Sequence, residues 1–139
     1  MLIRNILEES VRKFDEVKAV KWLKKKEIME RSYGELMENV VSTSKGLLAE
    51  GFEGKHIALI GTSSVEWMES YLGIITGCTT AVPLDAALPC EDLIDLLNRS
   101  DSVALFLSPK LNPYLDAFLE NCPKLQKVWM LQEEVEDAP

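Results

Sequence analysis

The chain has 139 residues, enough for one domain with a buried core, and 47% of them are hydrophobic and 27% charged, which is typical of a globular protein. The formal net charge of −8 argues against a nucleic-acid-binding role, because such binding depends on neutralising phosphates with Lys and Arg. Three lysines at 24–26 are interpreted as a solvated turn, with contact to an anionic lipid surface as the open alternative.

Cysteine and histidine usage bears on compartment and on metal sites. The three cysteines are far apart and form no C-x-x-C pair, as expected for reduced thiols. His56 is the only histidine, so no metal-ligating residues are predicted. The first residues carry charges rather than a signal-peptide core, and no run approaches the roughly 18 apolar residues that span a bilayer. We therefore expect a cytoplasmic protein.

The N-terminal residues predict a helix followed by a β-hairpin. Asn5 and Glu8 have the spacing of a capping box at the start of a helix over residues 5–14. Two short extended runs, residues 17–23 and 27–31, flank the lysine turn and predict the hairpin.

A second capping box opens the next helix. The Ser32 hydroxyl can accept from the Glu35 N–H, and the Glu35 carboxylate can reach back to the Ser32 N–H. Apolar residues at helical spacing continue to about Ala49, and Gly51 is typical of a helix end.

The remainder of the chain alternates apolar runs with helical patterns. Strands are predicted at residues 57–60, 80–83, 103–107 and 128–131, and helices at 64–76, from Pro89 onward, and after Ser108 as far as Asn121. Pro83 is expected to end its strand, and Pro113 to divide the last helical stretch into a turn and a helix. This alternation predicts an α/β fold: a mostly parallel sheet of about four strands, helices on both faces, and the N-terminal β-hairpin attached at an edge. Residues 1–139 are expected to form a single subdomain.

No established phosphate-binding motif is present. The seven glycines include no G-x-G pair and no G-K-[ST]. The nearest candidate is Thr62, Ser63 and Ser64, a polar turn between a strand and a helix start that could hold an anion. The competing interpretation is a third capping box formed by Ser63 and Glu66, whose carboxylate would repel phosphate.

Nothing else in the sequence predicts catalysis. The carboxylates are interpreted as solvating charge on exposed helix faces, and these are Glu66, Glu69, Asp92, Asp95 and Asp101. We therefore predict no catalytic residue and no metal ligand, and the turn at 62–64 remains a weak anion-site candidate.

Several short motifs follow one another along the chain. The hairpin precedes an [ST]-Y-x-E-L helix start, a strand similar to G-D-x-V-A-I, a Glu-Trp pair in a helix, and a G-x-x-x-x-V-P-L segment, found at residues 32–36, 54–59, 66–67 and 77–84. This succession resembles the N-terminal region of AMP-forming acyl-CoA synthetases, and the Glu-Trp pair looks most like their long-chain fatty acyl branch. Lys55 departs from the pattern, since the family prefers Asp there.

The resemblance implies a parent enzyme in which a fatty acid and ATP give an acyl-adenylate, from which the thiol of CoA displaces AMP. Such a parent uses ATP, Mg²⁺ and CoA. Its adenylation motif, a Ser/Thr/Gly-rich loop ending in Pro-Lys, would come soon after Leu131 and is not in this sequence. We therefore expect a truncated portion of the enzyme that needs no cofactor of its own, lacks ligase activity and has the remainder of the parent as partner.

Two other functions remain open. The chain could be a free-standing α/β scaffold for protein interaction, with self-association through an exposed apolar flank. It could also be a small phosphate- or nucleotide-binding module that uses Thr62, Ser63 and Ser64. The residues do not indicate acyl chain length or membrane association.

Overall fold

The computed structural model describes residue 6 and residues 18–24, 27–62 and 64–131. The helix predicted at 5–14 falls outside this part of the chain except for Ile6, which is helical.

The predicted N-terminal hairpin is confirmed. Strands β1 (Lys18–Lys24) and β2 (Glu27–Ser32) pair antiparallel, with Lys24 opposite Glu27. They form a sheet of two strands that is separate from the main sheet, so the expected attachment to a sheet edge is wrong. The reason lies at Ser32, which ends β2 and also caps the next helix, so no linker remains to carry the hairpin to the main sheet.

Helix α1 (Tyr33–Ala49) begins with the predicted capping box. Ser32 Oγ accepts from the Glu35 N–H at 3.1 Å, and Glu35 Oε1 accepts from the Ser32 N–H at 3.3 Å. Two of the otherwise unpaired amides of the helix N-terminus are thereby satisfied. The helix ends before Gly51, whose φ of +80° is a left-handed conformation that glycine adopts without strain.

The main sheet has the predicted parallel strands. They are β3 (His56–Gly61), β4 (Thr80–Asp85), β5 (Ser102–Leu107) and β6 (Lys127–Met130). Their order is β4-β3-β5-β6, and every neighbouring pair is parallel. The four predicted strand positions are confirmed, and the strand order is the information that the structure adds.

Helices cover both faces of this sheet, as predicted. They are α2 (Val65–Thr76), α3 (Cys90–Arg99) and α4 (Leu115–Asn121), together with α1 and a 3-10 helix at Pro109–Tyr114. In β3, Ile57 and Leu59 pack with residues of α1 and α2, whereas Ala58 and Ile60 pack with residues of α3 and α4. All four side chains are fully buried, which explains why the central strand reads as an unbroken apolar run.

Two prolines were expected to interrupt secondary structure, Pro83 at the end of a strand and Pro113 within a helical stretch. Pro113 lies inside the 3-10 helix that precedes α4, so the predicted division into a turn and a helix is confirmed. Pro83 does not end its strand, because β4 continues to Asp85 and Pro83 pairs in register with Leu59. Proline is tolerated there because β4 is an edge strand, where a missing N–H need not break a ladder. Among the described residues, no helix is both long and apolar enough to cross a bilayer.

Candidate functional site

The carboxyl ends of β3 and β5 form the place where a ligand is expected in an open parallel sheet. From β3 the chain crosses to β4 on one side and then returns to β5 on the other, so the strand order reverses between β3 and β5. Ligands of such sheets bind outside the carboxyl ends of the strands at this reversal. Thr62 directly follows β3 and Ser64 directly precedes α2, so these two residues of the candidate turn lie at that point.

Three side chains surround Gly61 at this reversal. A Cβ atom on Gly61 would lie 3.0 Å from Leu131 Cδ1 and 3.4 Å from Ser108 Cβ. The same added Cβ would lie 3.4 Å from Trp67 Cδ1. Ser108 is itself buried, with 1% of its surface exposed. A larger residue at position 61 would therefore crowd Leu131, Ser108 and Trp67.

The turn itself is used to cap α2. Ser64 Oγ accepts from the Trp67 N–H at 3.0 Å, so the helix cap is Ser64 and not Ser63 as predicted. Since the N3 position is then Trp67, Glu66 cannot be the acid of a capping box, and that prediction is corrected. Thr62 is exposed, and Ser63 lies outside the described residues.

Carboxylates dominate the electrostatics at the start of α2. Glu66 is half-buried in the first turn, and Glu69 is buried one turn later. The prediction that Glu69 lies on a solvated face is therefore wrong, since α1 packs over that side of α2. The Glu66 carboxylate in the first turn of α2 would repel a phosphate at this helix start.

Glu69 belongs to a polar cluster that the sequence did not reveal. Asn39 Nδ2 donates to Glu69 Oε2 at 2.6 Å, and Arg31 Nε lies 3.3 Å from the same oxygen. The Arg31 contact is an ionic approach rather than an aligned hydrogen bond. Burial raises the pKa of Glu69, and the Asn39 hydrogen bond and the Arg31 charge only partly oppose it. One signal was present in the sequence, because Glu69 lies four residues after Val65 and four before Gly73, on the buried stripe of α2.

This cluster, which we call the Glu69 cluster (Arg31, Asn39 and Glu69), forms one wall of a cavity of about 670 Å³ between α1, the start of α2 and the ends of β5 and β6. Phe106 and Trp129 line its apolar side and stack with ring centroids 5.0 Å apart. The cavity is therefore polar on one side and aromatic on the other.

His56 lies at the amino end of β3, the opposite end of the strand from the candidate turn. His56 Nδ1 lies 2.6 Å from the Ser100 carbonyl oxygen, to which it donates. Asp101 forms an exposed ion pair with Lys124, whose hydrogen bond and charge lower the pKa of Asp101. Within the described part of the chain, no group of three or more His, Cys, Asp or Glu side chains is arranged to hold a metal ion.

A family model described as "AMP-binding enzyme" matches residues 7–138, nearly the whole chain. The chain belongs to the AMP-binding enzyme family. The resemblance seen in the order of the motifs is thus confirmed at the level of the family. A search of curated proteins found no match.

Solved structures of ligases share the fold of this family member. Coronafacic acid ligase from Pectobacterium brasiliense superposes with a TM-score of 0.85 at 20% identity, over 100% of this chain and 27% of that one. The N-terminal domain of FACL13 from Mycobacterium tuberculosis gives 0.82 at 18% identity, over 100% of this chain and 38% of that one. A fatty acyl CoA synthetase of the same organism gives 0.78 at 18% identity, over 90% and 25%. The chain thus spans between a quarter and two fifths of the length of these proteins.

Proposed function

We propose that this chain is the N-terminal sheet-and-helix part of a cytoplasmic, ATP-dependent acyl-CoA synthetase that acts on a fatty acid. The whole enzyme would convert fatty acid, ATP and CoA into acyl-CoA, AMP and pyrophosphate. The observation that carries the proposal is the family match over residues 7–138. The Glu66-Trp67 pair, which looks like the long-chain branch, supports a fatty acid as the carboxylate substrate.

Within such an enzyme, the 139 residues would supply part of the folded scaffold and no catalytic residue. The packed crevice at Gly61 and the carboxylates of Glu66 and Glu69 support this division of labour, since neither feature favours a triphosphate. ATP, Mg²⁺ and CoA would be held by the remainder of the parent enzyme, which is the partner that we propose for this chain. Alone, the chain is expected to be inactive.

A pyrophosphate-release assay tests the expected inactivity. The purified 139-residue chain is mixed with ATP, Mg²⁺, a long-chain fatty acid and CoA, and a full-length acyl-CoA synthetase is assayed beside it as the positive control. We expect pyrophosphate release at the rate of the protein-free blank. Sustained release in proportion to the chain's concentration would refute the proposed inactivity. The parent itself is tested by the coding sequence downstream of Pro139, where a Ser/Thr/Gly-rich loop ending in Pro-Lys is expected.

A further inference from the structure

The cavity beside the Glu69 cluster has the size of a small-molecule site. Its volume of about 670 Å³ lies within the range of roughly 300–1,000 Å³ that ligand pockets occupy. One wall belongs to α1 and the start of α2, and the other belongs to the ends of β5 and β6. Because the two walls differ in chemistry, the lining specifies what kind of ligand the cavity can hold.

Helix α2 presents three polar residues to the cavity on one face. Glu66, Glu69 and Ser70 are three and four residues apart, a spacing that places side chains beside one another on a helix. Glu69 is 6% exposed and Ser70 is 8% exposed. The Ser70 hydroxyl forms no hydrogen bond with a described residue, so an occupant of the cavity is needed to satisfy it.

The carboxylates of the cavity outnumber the cations that pair with them. Glu69 Oε2 lies 3.3 Å from Arg31 Nε, and Glu50 is paired with Lys127 at 3.0 Å. Glu66 lines the same cavity and forms no ion pair with a described residue. One carboxylate is therefore left unmatched, and a cation that enters the cavity would balance its charge.

The other wall offers two stacked rings to the apolar part of a ligand. Phe106 and Trp129 are paired on adjacent strands, their ring centroids lie 5.0 Å apart, and both are half-buried. Lys127 Nζ lies 5.9 Å from the centroid of the Trp129 ring, so this ring already has a cation beside it. The wall therefore suits an aromatic body that carries a positive charge.

We propose that this cavity binds a small organic ammonium ion with an aromatic body. The ammonium group donates to the Glu66 carboxylate and to the Ser70 hydroxyl oxygen, while the body packs against Phe106 and Trp129. An anion of the same size is disfavoured, because it would meet the carboxylates of Glu66 and Glu69. All of these groups belong to the 139-residue chain, so the site does not depend on the identity of the parent enzyme.

Calorimetry and NMR of the 139-residue chain test the site with phenethylammonium as the probe. Hydrocinnamate has the same ring and spacer with the opposite charge, and ethylammonium has the charge without the ring. At about pH 7 we expect saturable binding of phenethylammonium, a shift of the Trp129 indole signal, and at least about tenfold weaker binding of both comparison compounds. Equal binding of phenethylammonium and hydrocinnamate, or no saturable binding of phenethylammonium, would overturn the proposal.

Two variants locate the binding in this cavity. Glu66→Gln removes the unmatched charge and should lower the association constant of phenethylammonium about tenfold, because a hydrogen bond to a charged group contributes more than a neutral one. Ser70→Ala removes one neutral hydrogen bond and should lower the constant about threefold. An unchanged constant in Glu66→Gln contradicts the site.

Glu91→Gln is the matched control for Glu66→Gln. Glu91 is likewise the second residue of its helix, but it lies on α3, which packs against the opposite face of the sheet. This variant should leave the association constant unchanged, and an equal loss in both variants would show that net charge alone attracts the probe. The comparison of the three compounds needs no variant, so it decides the proposal even where a substitution unfolds the chain.

Discussion

Replacing Gly73 by alanine probes the close approach of α1 and α2. The new Cβ would lie 2.5 Å from Thr43 Cβ and 2.6 Å from Thr43 Cγ2, distances that real Cβ atoms do not adopt. The clash involves the Cβ of Thr43 rather than a flexible chain end, and the Val40 carbonyl oxygen at 3.1 Å blocks the other direction. The helices must therefore move apart, since neither partner can rotate away.

The magnitude follows from two opposing effects. Overpacking a well-packed contact costs about 1–3 kcal/mol. Alanine recovers about 0.8–1.0 kcal/mol relative to glycine through its better helix propensity. The difference between these two effects gives the range of the net change, and we expect its upper half because two Thr43 atoms and a backbone oxygen are crowded together. Gly73→Ala should therefore lower the free energy of unfolding by about 1–2 kcal/mol.

Gly46 offers a matched control on the partner helix. A Cβ there meets no atom within 4 Å, and Gly46 is likewise inside a helix. Gly46→Ala should therefore raise the free energy of unfolding by about 0.5–1 kcal/mol. The assay is urea denaturation of both variants, with the midpoint and slope compared with those of the parent chain.

If Gly73→Ala unfolds at the same urea concentration as Gly46→Ala, the two helices are not in contact at Gly73. A double variant checks the assigned partner, because Thr43→Gly should relieve part of the cost of Gly73→Ala. Additive effects of the two substitutions would show that Thr43 is not the obstructing residue.

Two further predictions concern the starts of the helices. Ser32→Ala removes the Oγ that accepts from the Glu35 N–H and should lower the free energy of unfolding, measured in urea, by about 1 kcal/mol. A decrease of less than about 0.3 kcal/mol would mean that the capping box does not stabilise α1. Calorimetric titration with millimolar ATP should release no heat of binding, since Glu66 lies in the first turn of α2 and the cap hydroxyl on Ser64 already accepts a backbone N–H. Saturable heat that disappears in Ser64→Ala would instead establish the turn at 62–64 as a nucleotide site.

Side chains of this chain pack closely around Gly61. Leu131 and Trp67 pack against Gly61 at the reversal of strand order, where open parallel sheets bind their ligands. The described residues therefore use this place for core packing. If the parent binds ATP, we propose that the groups that hold it lie in the remainder of that enzyme.

Local patterns sufficed to predict most of the elements and the fold class. The apolar run at residues 57–60, the spacing of Ser32 and Glu35, and the breaking effect of Pro113 depend on neighbours a few residues away. Strand periodicity, helix caps and proline geometry are all such short-range effects, so they can be recognised without a structure. The parallel sheet followed from the alternation of strands and helices.

Tertiary structure alone decided which distant segments meet. Pro83 lies within a strand because β4 is at a sheet edge, and the hairpin stands apart because Ser32 leads straight into α1. Glu69 is buried because α1 covers it and because Asn39, 30 positions earlier in the chain, reaches its carboxylate. Burial and pairing of this kind depend on contacts between segments far apart in the chain, and no local periodicity records them.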